Sequence, residues 1–454
     1  MALPPGPDRL PAPIQTALFL GFQTQTARLL RRRYGEVFTI RLSGIGTFVA
    51  VAEPDLLKQV FTADPKVLHA GDRSPLGAVL GRNSLLAIDE ERHLSQRKLL
   101  LPPFHGERMQ SYEAIIEEEA LREIATWPQD RPFETLEPMM RITLNAILRA
   151  VFGARGSELE QLRALLPPLV TLGSRLALLR FLQHDLGAWS PWGKFLRMRA
   201  QFDRHVDELI ATARGDPELE ERSDVLSLLV RARHEDGTPM SRDEIADQLL
   251  TLLAAGHETT AATLAWAVER LRRHPEVLRT LVAEVDAGGR EYRDAVIREV
   301  QRSRPVITAA GRYAMTDFQL GRWLLPAGTR IIASAYLTQL DERLYPDPQR
   351  FDPERFVGRM PETYKWVPFG GGIRRCIGAA FAHMEMDVVL RTMLTQVELA
   401  TTTAPDERWK SRGVAFVPSR GGRAVVRRRR DAPGGAPAQA AAAASAGAPL
   451  AAAT

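Results

Sequence analysis

The stretch from residue 369 to residue 378, Phe-Gly-Gly-Gly-Ile-Arg-Arg-Cys-Ile-Gly, constrains this chain more than any other. Cys376 is the only cysteine among 454 residues, and it follows a glycine-rich loop. The composition of residues 379–397 predicts a helix directly after it. A cysteine at a helix N-terminus meets the positive end of the helix dipole and unpaired backbone N–H groups, and both stabilise the thiolate. We expect Arg374 and Arg375 to act in the same direction.

A single thiolate suits some kinds of site and not others. A structural zinc site usually needs four protein ligands, which one cysteine does not supply. One thiolate is enough to serve as the axial ligand of a haem iron. The neighbouring glycines would let a large flat group approach the backbone closely. The alternative is a lone buried cysteine in a glycine-rich turn.

The spacing within this stretch resembles the haem-ligand signature of the cytochromes P450. That signature has five places, and the chain fills all of them with Phe369, Gly372, Arg374, Cys376 and Gly378. The resemblance implies that Cys376 is the proximal ligand of haem b and that Arg374 pairs with a haem propionate. Phe369 and Gly378 are then expected to contact the haem. The implied P450 fold is mainly α-helical with small β-sheets, and it holds the haem between a long central helix and the cysteine loop.

Further haem contacts are predicted outside the cysteine loop. His93 and Arg97 are four residues apart, so they share one face of a predicted helix. They resemble the His-x-x-x-Arg propionate clamp of the family, and the alternative is an ordinary surface pair. Arg312 matches an arginine that contacts a propionate in many relatives. Relatives commonly have His-Arg-Asp where this chain has Gln-Leu-Asp at residues 339–341, so no site residue is assigned there.

A long helix is predicted from about residue 242 to residue 273. Ser241 and Glu244 fit a capping box at its start. Apolar residues recur at helical spacing along it: Ile245, Leu249, Leu252, Leu253, Ala262 and Trp266. Its middle contains Gly256 and two threonines, which are poor helix formers. Breaking a local rule within a good helix indicates a functional site.

The resemblance assigns roles to the middle of this helix. Glu258 and Thr259 would be the acid and the alcohol that deliver protons to dioxygen, and Gly256 would leave room for the oxygen. The alternative for Thr259 is a hydroxyl that hydrogen-bonds to a backbone carbonyl one turn earlier.

A structural triad is predicted on the haem side of the core. Glu299 and Arg302 resemble the Glu-x-x-Arg motif of the family, and Arg355 takes the place of the arginine that completes it. Glu-x-x-Arg carries little information alone, because Glu269 and Arg272 form a second one. The order of the motif, the Pro-Glu-Arg-Phe segment and the cysteine loop is what makes it informative.

Composition is that of a globular protein, with 45% hydrophobic and 25% charged residues. The net charge is +5, and the run from Arg427 to Arg430 supplies much of it. No basic stripe with interleaved aromatic residues is present, so we do not expect nucleic-acid binding. We expect one haem-thiolate domain over residues 1–430, followed by a disordered Ala/Gly/Pro-rich tail over residues 431–454.

The single cysteine excludes intrachain disulfides and suits a reducing compartment, so we expect a cytoplasmic protein. No apolar run reaches the length of a membrane-spanning helix. Anchored relatives have an apolar anchor before a proline-rich hinge, whereas here prolines come first, at residues 4, 5, 7, 11 and 13. The chain therefore resembles the soluble bacterial type, without a membrane anchor, and we expect a monomer.

The remaining local patterns predict the order of the elements. We expect an extended arm over residues 1–14, helices over 23–34 and 54–62, and a hairpin over 38–52. Residues 70–90 should form a loop, and the resemblance implies that this loop lies above the haem. Residues 106–230 should be mostly helical, with breaks near Gly153, at Pro167-Pro168 and between Trp189 and Trp192. Strands should follow between residues 306 and 335, and a strand turn near the pocket between residues 413 and 418.

The resemblance implies monooxygenation, in which one oxygen atom enters a C–H bond and the other leaves as water. Electrons would come from NAD(P)H through a separate ferredoxin and reductase, since the chain has no flavin or iron–sulfur motif. Val79, Val306, Ile307 and the apolar stretch around Leu179 indicate a hydrophobic substrate, such as a lipid, terpenoid or steroid-like molecule. Desaturation or ring coupling would have the same sequence features. The alternatives are a peroxide-driven hydroxylase, whose relatives tend to lose the acid–alcohol pair, and a haem protein without turnover.

Overall fold

The computed structural model describes residues 3–104, 106, 108–153, 157–179, 182–187 and 189–429. The expected tail over residues 431–454 lies outside this part of the chain. Helices dominate the described residues, and strands form small sheets at the edges.

The first half of the chain alternates helices with short strands before it becomes helical throughout. The helices here are α1 (Ala12–Gly21), α2 (Gln23–Tyr34), α3 (Pro54–Thr62), α4 (Gly77–Leu80), α5 (Glu90–Leu100), α6 (Arg108–Ile124), α7 (Leu136–Phe152), α8 (Ser157–Leu178), α9 (Pro191–Arg214) and α10 (Val225–Arg231). The later helices are α11 (Arg242–Leu271), α12 (Pro275–Asp286), α13 (Glu291–Ser303), α14 (Ala335–Gln339) and α15 (Ala379–Gln396).

The largest sheet has five strands in the order β1-β2-β8-β5-β3, with β2 and β8 parallel and the other neighbours antiparallel. Its strands are β1 (Val37–Leu42), β2 (Gly46–Val51), β3 (Leu68–His69), β5 (Ala310–Ala314) and β8 (Arg330–Ala333). The other strands pair in twos: β4 (Phe133–Glu134) with β12 (Arg423–Ala424), β6 (Phe318–Leu320) with β7 (Trp323–Leu325), β9 (Val397–Leu399) with β13 (Val426–Arg428), and β10 (Trp409–Arg412) with β11 (Ala415–Pro418).

Helix α11 is the central helix of the main core. Its capping box forms as predicted: the Ser241 hydroxyl accepts the Glu244 N–H, and the Glu244 carboxylate accepts the Ser241 N–H. Most of its side chains are buried on all sides, which is typical of a helix in the middle of a large core. Helices α7 and α15 and the β10–β11 hairpin pack around it.

Several predicted elements are confirmed, and two predictions are wrong. The structure has α2 and α3 with the predicted bounds, and β1 and β2 form the predicted hairpin. The extended arm is shorter than predicted, because α1 already begins at Ala12. Its early proline at residue 13 lies in the first turn, where the N–H group it lacks would have had no intrahelical partner.

The predicted helix break at Pro167-Pro168 is also wrong, because both prolines lie inside α8. Each proline removes one backbone hydrogen bond from the helix. Buried leucines on either side, Leu166 and Leu169, keep the helix packed against the core. Tertiary packing therefore outweighs the local preference here.

Candidate active site

The cysteine loop holds the thiol at the start of α15. Residues 372–374 form a single 3₁₀ turn, and Gly378 is the N-cap residue of α15. The Cys376 N–H donates a hydrogen bond to the Phe369 carbonyl at 2.9 Å, which closes the loop. The Cys376 side chain has accessible surface although protein surrounds it on most sides, so its sulfur lies at the wall of a recess.

Two glycines of the loop differ in what surrounds them. Gly372 has a φ of +61°, and a Cβ there would collide with the backbone carbonyl of Phe61 in α3. Close packing against α3 therefore explains why residue 372 is a glycine, and no bound group is required to explain it. A Cβ on Gly378 would meet no protein atom within 4 Å, so the space beside Gly378 is open.

Opposing influences act on the Cys376 thiol. Burial raises its pKa, whereas the Gly378 N–H, Arg375 and Arg97 lower it. We predicted that Arg374 would act on the thiol as well, but its guanidinium instead bonds to the Asp89 carboxylate and the Leu85 and Ile88 carbonyls.

Four cationic or hydrogen-bonding side chains from three parts of the chain converge beside the cysteine. His93 and Arg97 come from α5, Arg312 from β5 and Arg374 from the cysteine loop. Burial followed by the charges of Arg374 and Arg97 lowers the pKa of His93 to about 3. Burial and the charge of Arg374 lower the pKa of Arg312 to about 10. The structure thus brings together the residues that the sequence predicts as a propionate-binding set.

Asp89 is part of this cluster, and the sequence analysis missed it. Its carboxylate accepts the backbone N–H groups of Ala70, Gly71 and Asp72 at 2.7–2.8 Å and pairs with Arg374. These partners outweigh the effect of burial and lower the pKa of Asp89. An aspartate directly before a predicted helix signals an N-cap, but its pairing with residues 70–72 and 374 depends on the tertiary fold.

The charges of this cluster do not balance among the described residues. Arg97, Arg312 and Arg374 outnumber the two carboxylates that act on Arg374, those of Asp89 and the more exposed Asp72, and the Arg97 guanidinium makes no hydrogen bond to any described residue. Buried cations are costly without anionic partners. A recess with one thiol at its wall and surplus cations at its edge fits haem, which carries two propionates and accepts a thiolate ligand.

On α11, two residues of the predicted oxygen site, Gly256 and Thr259, lie along a less buried part of the helix. Ala255 is exposed, and Gly256 and Thr259 are half-buried, whereas most of α11 is fully buried. The Thr259 hydroxyl donates to the Ala255 carbonyl at 2.7 Å. The alternative predicted for this hydroxyl is therefore present, and it leaves the oxygen available as an acceptor.

Gly256 is explained by helix packing. A Cβ at this position would collide with Cδ1 of Ile147 in α7. The small residue thus lets α7 approach α11, and the role of Gly256 in leaving room for oxygen stays a prediction.

Glu258 is buried and has charged neighbours from two other elements. Its Oε1 atom lies 3.2 Å from Nε of Arg412 in β10. Burial raises the pKa of Glu258, and the charge of Arg412 opposes this effect. The Arg412 Nη1 atom donates to Glu137 of α7 at 3.2 Å. Arg412 is a second residue that the sequence analysis missed, because its hairpin is far from Glu258 in the chain.

A further buried acid lies between α11 and α15. Glu385 is 1% exposed, and burial raises its pKa well above the ordinary value of 4.5. The Thr260 hydroxyl bonds to this carboxyl, while its Oε1 atom has no partner among the described residues. Burial thus favours the neutral form of Glu385, which helps the core to accommodate it.

The predicted triad residues lie together. Arg302 makes a bidentate pair with Glu299 at 2.6 and 2.7 Å, and both side chains are fully buried. Arg355 approaches Glu299 to 4.0 Å and donates to the carbonyls of Pro346 and Asp347. Gln339, at the position where relatives have histidine, donates to the carbonyls of Gln301 and Arg302 and accepts the Val367 N–H.

Comparison with known proteins identifies the class of protein. The family model described as Cytochrome P450 matches residues 4–421. The chain belongs to the cytochrome P450 family, and its relatives and solved neighbours indicate a P450 monooxygenase. Among the described residues, no helix has the length and apolar character needed to cross a membrane.

Two relatives and one solved structure illustrate the similarity. Putative cytochrome P450 138 of Mycobacterium tuberculosis is 54% identical over 415 residues, covering 90% of this chain and 94% of the relative. Putative cytochrome P450 135B1 of the same species is 43% identical over 439 residues, covering 95% and 93%. The structure of retinoic acid bound cyanobacterial CYP120A1 has a TM-score of 0.82 at 25% identity and covers 94% of this chain and 100% of that one.

Proposed function

We propose that this P450 monooxygenase inserts one atom of dioxygen into a hydrophobic substrate such as a lipid, terpenoid or steroid-like molecule. Its electrons come from NAD(P)H through a separate ferredoxin and reductase, and it works in the cytoplasm. The observation that carries the proposal is the cluster of His93, Arg97, Arg312 and Arg374 beside a Cys376 thiol that keeps accessible surface.

The residues around the recess divide the work of holding haem b. Cys376 ligates the iron, and His93, Arg97, Arg312 and Arg374 hold the propionates. Thiolate-ligated haem supplies the activation of dioxygen and the cleavage of its O–O bond. The Glu299–Arg302–Arg355 triad has a structural role. Together with Gln339, it connects α13 to the segments that precede the cysteine loop.

Glu258 and Thr259 move protons on the other side of the recess. Thr259 is half-buried and its hydroxyl oxygen can accept a hydrogen bond while its proton bonds to Ala255. Glu258 is its neighbour in the sequence, and burial raises its pKa, so its carboxyl holds a proton to higher pH than an exposed glutamate does. The chain contains both the acid and the alcohol. Their presence favours dioxygen over peroxide as the oxidant. It also favours a catalytic role over a role in ligand binding alone.

The apolar residues that the sequence predicts for the pocket support a hydrophobic substrate. Val79 and Val306 are buried, Ile307 packs against the same core, and Leu179 is 40% exposed. The cyanobacterial neighbour binds retinoic acid, a molecule with a long apolar chain. Apolar surface on both partners would drive binding by its removal from water.

An exposed cation supports the electron donor. Arg375 follows the propionate-binding Arg374, is exposed and makes no ion pair among the described residues. The nearby Arg92 and Lys98 are exposed but bond to Asn83 and Glu235. A ferredoxin with an acidic surface would find a complementary charge here.

The proposal is tested by replacing Thr259 with alanine and measuring product formed per NADPH consumed. Any substrate that shifts the haem spectrum serves as the probe. We expect Thr259→Ala to keep consuming NADPH but to release more peroxide and less product, because the hydroxyl no longer directs protonation. Thr263→Ala is the matched control, since Thr263 makes the same kind of backbone hydrogen bond one turn later. Wild-type coupling in Thr259→Ala would contradict the proposed role of this helix.

A further inference from the structure

The β10–β11 hairpin is fastened to α11 along its length. Trp409 packs against Trp266 of α11 and Tyr336 of α14, with ring centroids 5.5 and 5.3 Å apart. The Trp266 Nε1 atom donates to the Phe416 carbonyl at 3.1 Å, and the Phe416 N–H donates to the Val306 carbonyl at 2.9 Å. These contacts fix where the side chain at the end of β10 can reach.

That side chain is Arg412, which bridges two carboxylates. Its Nη1 atom donates to Oε1 of Glu137 at 3.2 Å, and its Nε atom lies 3.2 Å from Oε1 of Glu258. The three side chains are 56%, 26% and 6% exposed in the order Glu137, Arg412, Glu258. They therefore form a continuous series from solvent to the buried acid of α11.

The inner contact of this series is an ion pair without hydrogen-bond geometry. Neither Nε of Arg412 nor Oε1 of Glu258 has a hydrogen-bond partner among the described residues, although both atoms are buried. Such atoms are normally bonded to protein or to an ordered water. The arrangement attracts the Glu258 carboxyl towards the hairpin and leaves its oxygen able to bond to water that enters from the side of Glu137.

We propose, on the basis of the proposed function, that Arg412 is a positioning residue that holds Glu258 at the inner end of a proton entry route between α7 and the β10–β11 hairpin. Arg412 does not carry the proton, because guanidinium groups stay charged in proteins. It sets the direction of the Glu258 carboxyl and its affinity for a proton, and Glu137 marks the solvent end of the route.

The groups that face Glu258 determine how its titration responds to substitution. Arg412 of the hairpin lowers the pKa of Glu258, and Glu137 of α7 raises it. His257 of α11 is adjacent in sequence, and its pKa is lowered by burial, so it is neutral. Removing Arg412 should therefore raise the pKa of Glu258, and removing the charge of Glu137 should lower it.

The test is an infrared pH titration of the haem-loaded enzyme without substrate. The carbonyl band of the protonated Glu258 is identified by its loss in Glu258→Gln. We expect the midpoint of this band to shift to higher pH in Arg412→Met, to shift less in Arg412→Lys, and to shift to lower pH in Glu137→Gln. Lys410→Met is the matched control, because it removes an exposed charge from the same strand, and its midpoint should be that of the wild type.

An unchanged midpoint in Arg412→Met, with normal haem content and melting temperature, would overturn the proposal. A shift of equal size in Lys410→Met would also overturn the proposal, because the loss of any positive charge on this strand would then explain the shift. If Arg412→Met does not fold, Arg412→Lys and Glu137→Gln provide the test. The expected shifts of the Glu258 midpoint in these two variants would support the proposal, and unchanged midpoints would overturn it. The titration needs no turnover, so its outcome is independent of whether the proposed substrate class and electron donor are right.

Discussion

At the scale of single residues, the buried charged groups of this protein are stabilised in different ways. Glu299 and Arg302 neutralise each other through two hydrogen bonds. Glu385 has no cationic partner among the described residues, and burial raises its pKa, which favours the protonated form. The cations around Arg312 outnumber the carboxylates that face them, and this imbalance is what an anionic cofactor would correct.

Cys376→Ser should abolish the thiolate-type spectrum of the reduced carbon monoxide complex. The physical reason is that a serine hydroxyl cannot replace the soft thiolate ligand. The measurement is the difference spectrum of the reduced protein with and without carbon monoxide. Retention of the wild-type spectrum would contradict the assignment, because the chain contains no second cysteine that could replace it.

Glu385→Gln should remove a pH-dependent loss of stability. Above the ordinary carboxyl pKa of 4.5 the unfolded chain releases this proton while the folded chain keeps it, so the folded state binds more protons. Stability of the wild type therefore falls as pH rises through this range, and the neutral amide abolishes that contribution. The melting temperature of Glu385→Gln relative to the wild type should rise as pH increases above the ordinary carboxyl pKa of 4.5. The exposed Glu398→Gln is the control, and a constant difference for Glu385→Gln would contradict the prediction.

At the scale of elements, α11 has strong helix-start signals in its first turn and residues of low helix propensity in its middle. Its capping box satisfies backbone groups at the first turn, and buried apolar residues hold the rest. The poor helix formers in the middle make separate contacts: Gly256 lies against Ile147 of α7, the Thr259 hydroxyl bonds to the Ala255 carbonyl, and the Thr260 hydroxyl bonds to Glu385. The helix is stable there because tertiary contacts compensate for low propensity.

Ser241→Ala should lower the free energy of unfolding by about 1 kcal/mol, because the Glu244 N–H loses its acceptor at the start of α11. Denaturant unfolding of the haem-loaded protein measures the change. Ser241→Thr retains a hydroxyl and should stay close to the wild type. A loss in Ser241→Thr as large as that in Ser241→Ala would show that the cap is not the cause.

At the scale of the whole molecule, the net charge is +5, and the arginines that contribute to it differ in whether they form ion pairs. Many arginines are engaged in ion pairs, including Arg429 with Asp286 and Arg427 with Asp130. Arg375, within the cysteine loop, is an exposed arginine without an ion pair among the described residues. Its charge is therefore available to attract an acidic donor to this part of the surface.

Reduction by an acidic ferredoxin should slow as salt rises, because attraction between exposed charges is screened over about 8–10 Å at ordinary ionic strength. Arg375→Gln should slow reduction at low salt and weaken its salt dependence. Stopped-flow reduction under carbon monoxide measures the rate. Arg214→Gln is the control, because this exposed arginine ends α9 and is far along the chain from the cysteine loop. Equal effects of the two variants would contradict docking at Arg375.

The sequence by itself determined the family, the helix after the cysteine loop and the start of α11. These depend on spacing and local chemistry: five places around Cys376, and a capping box at Ser241 and Glu244. Local signals of this kind lie within a few residues of each other, so they can be read without the fold. The helices α2 and α3 were predicted for the same reason.

Only the tertiary structure decided which distant groups meet. Asp89 bonds to Arg374 across 285 positions of the chain, and Arg412 meets Glu258 through a hairpin that packing fastens to α11. The continuation of α8 through Pro167 and Pro168 likewise depends on buried neighbours outweighing a local preference. The physical reason is that charge pairing and burial depend on distance in space, and no local pattern encodes that distance.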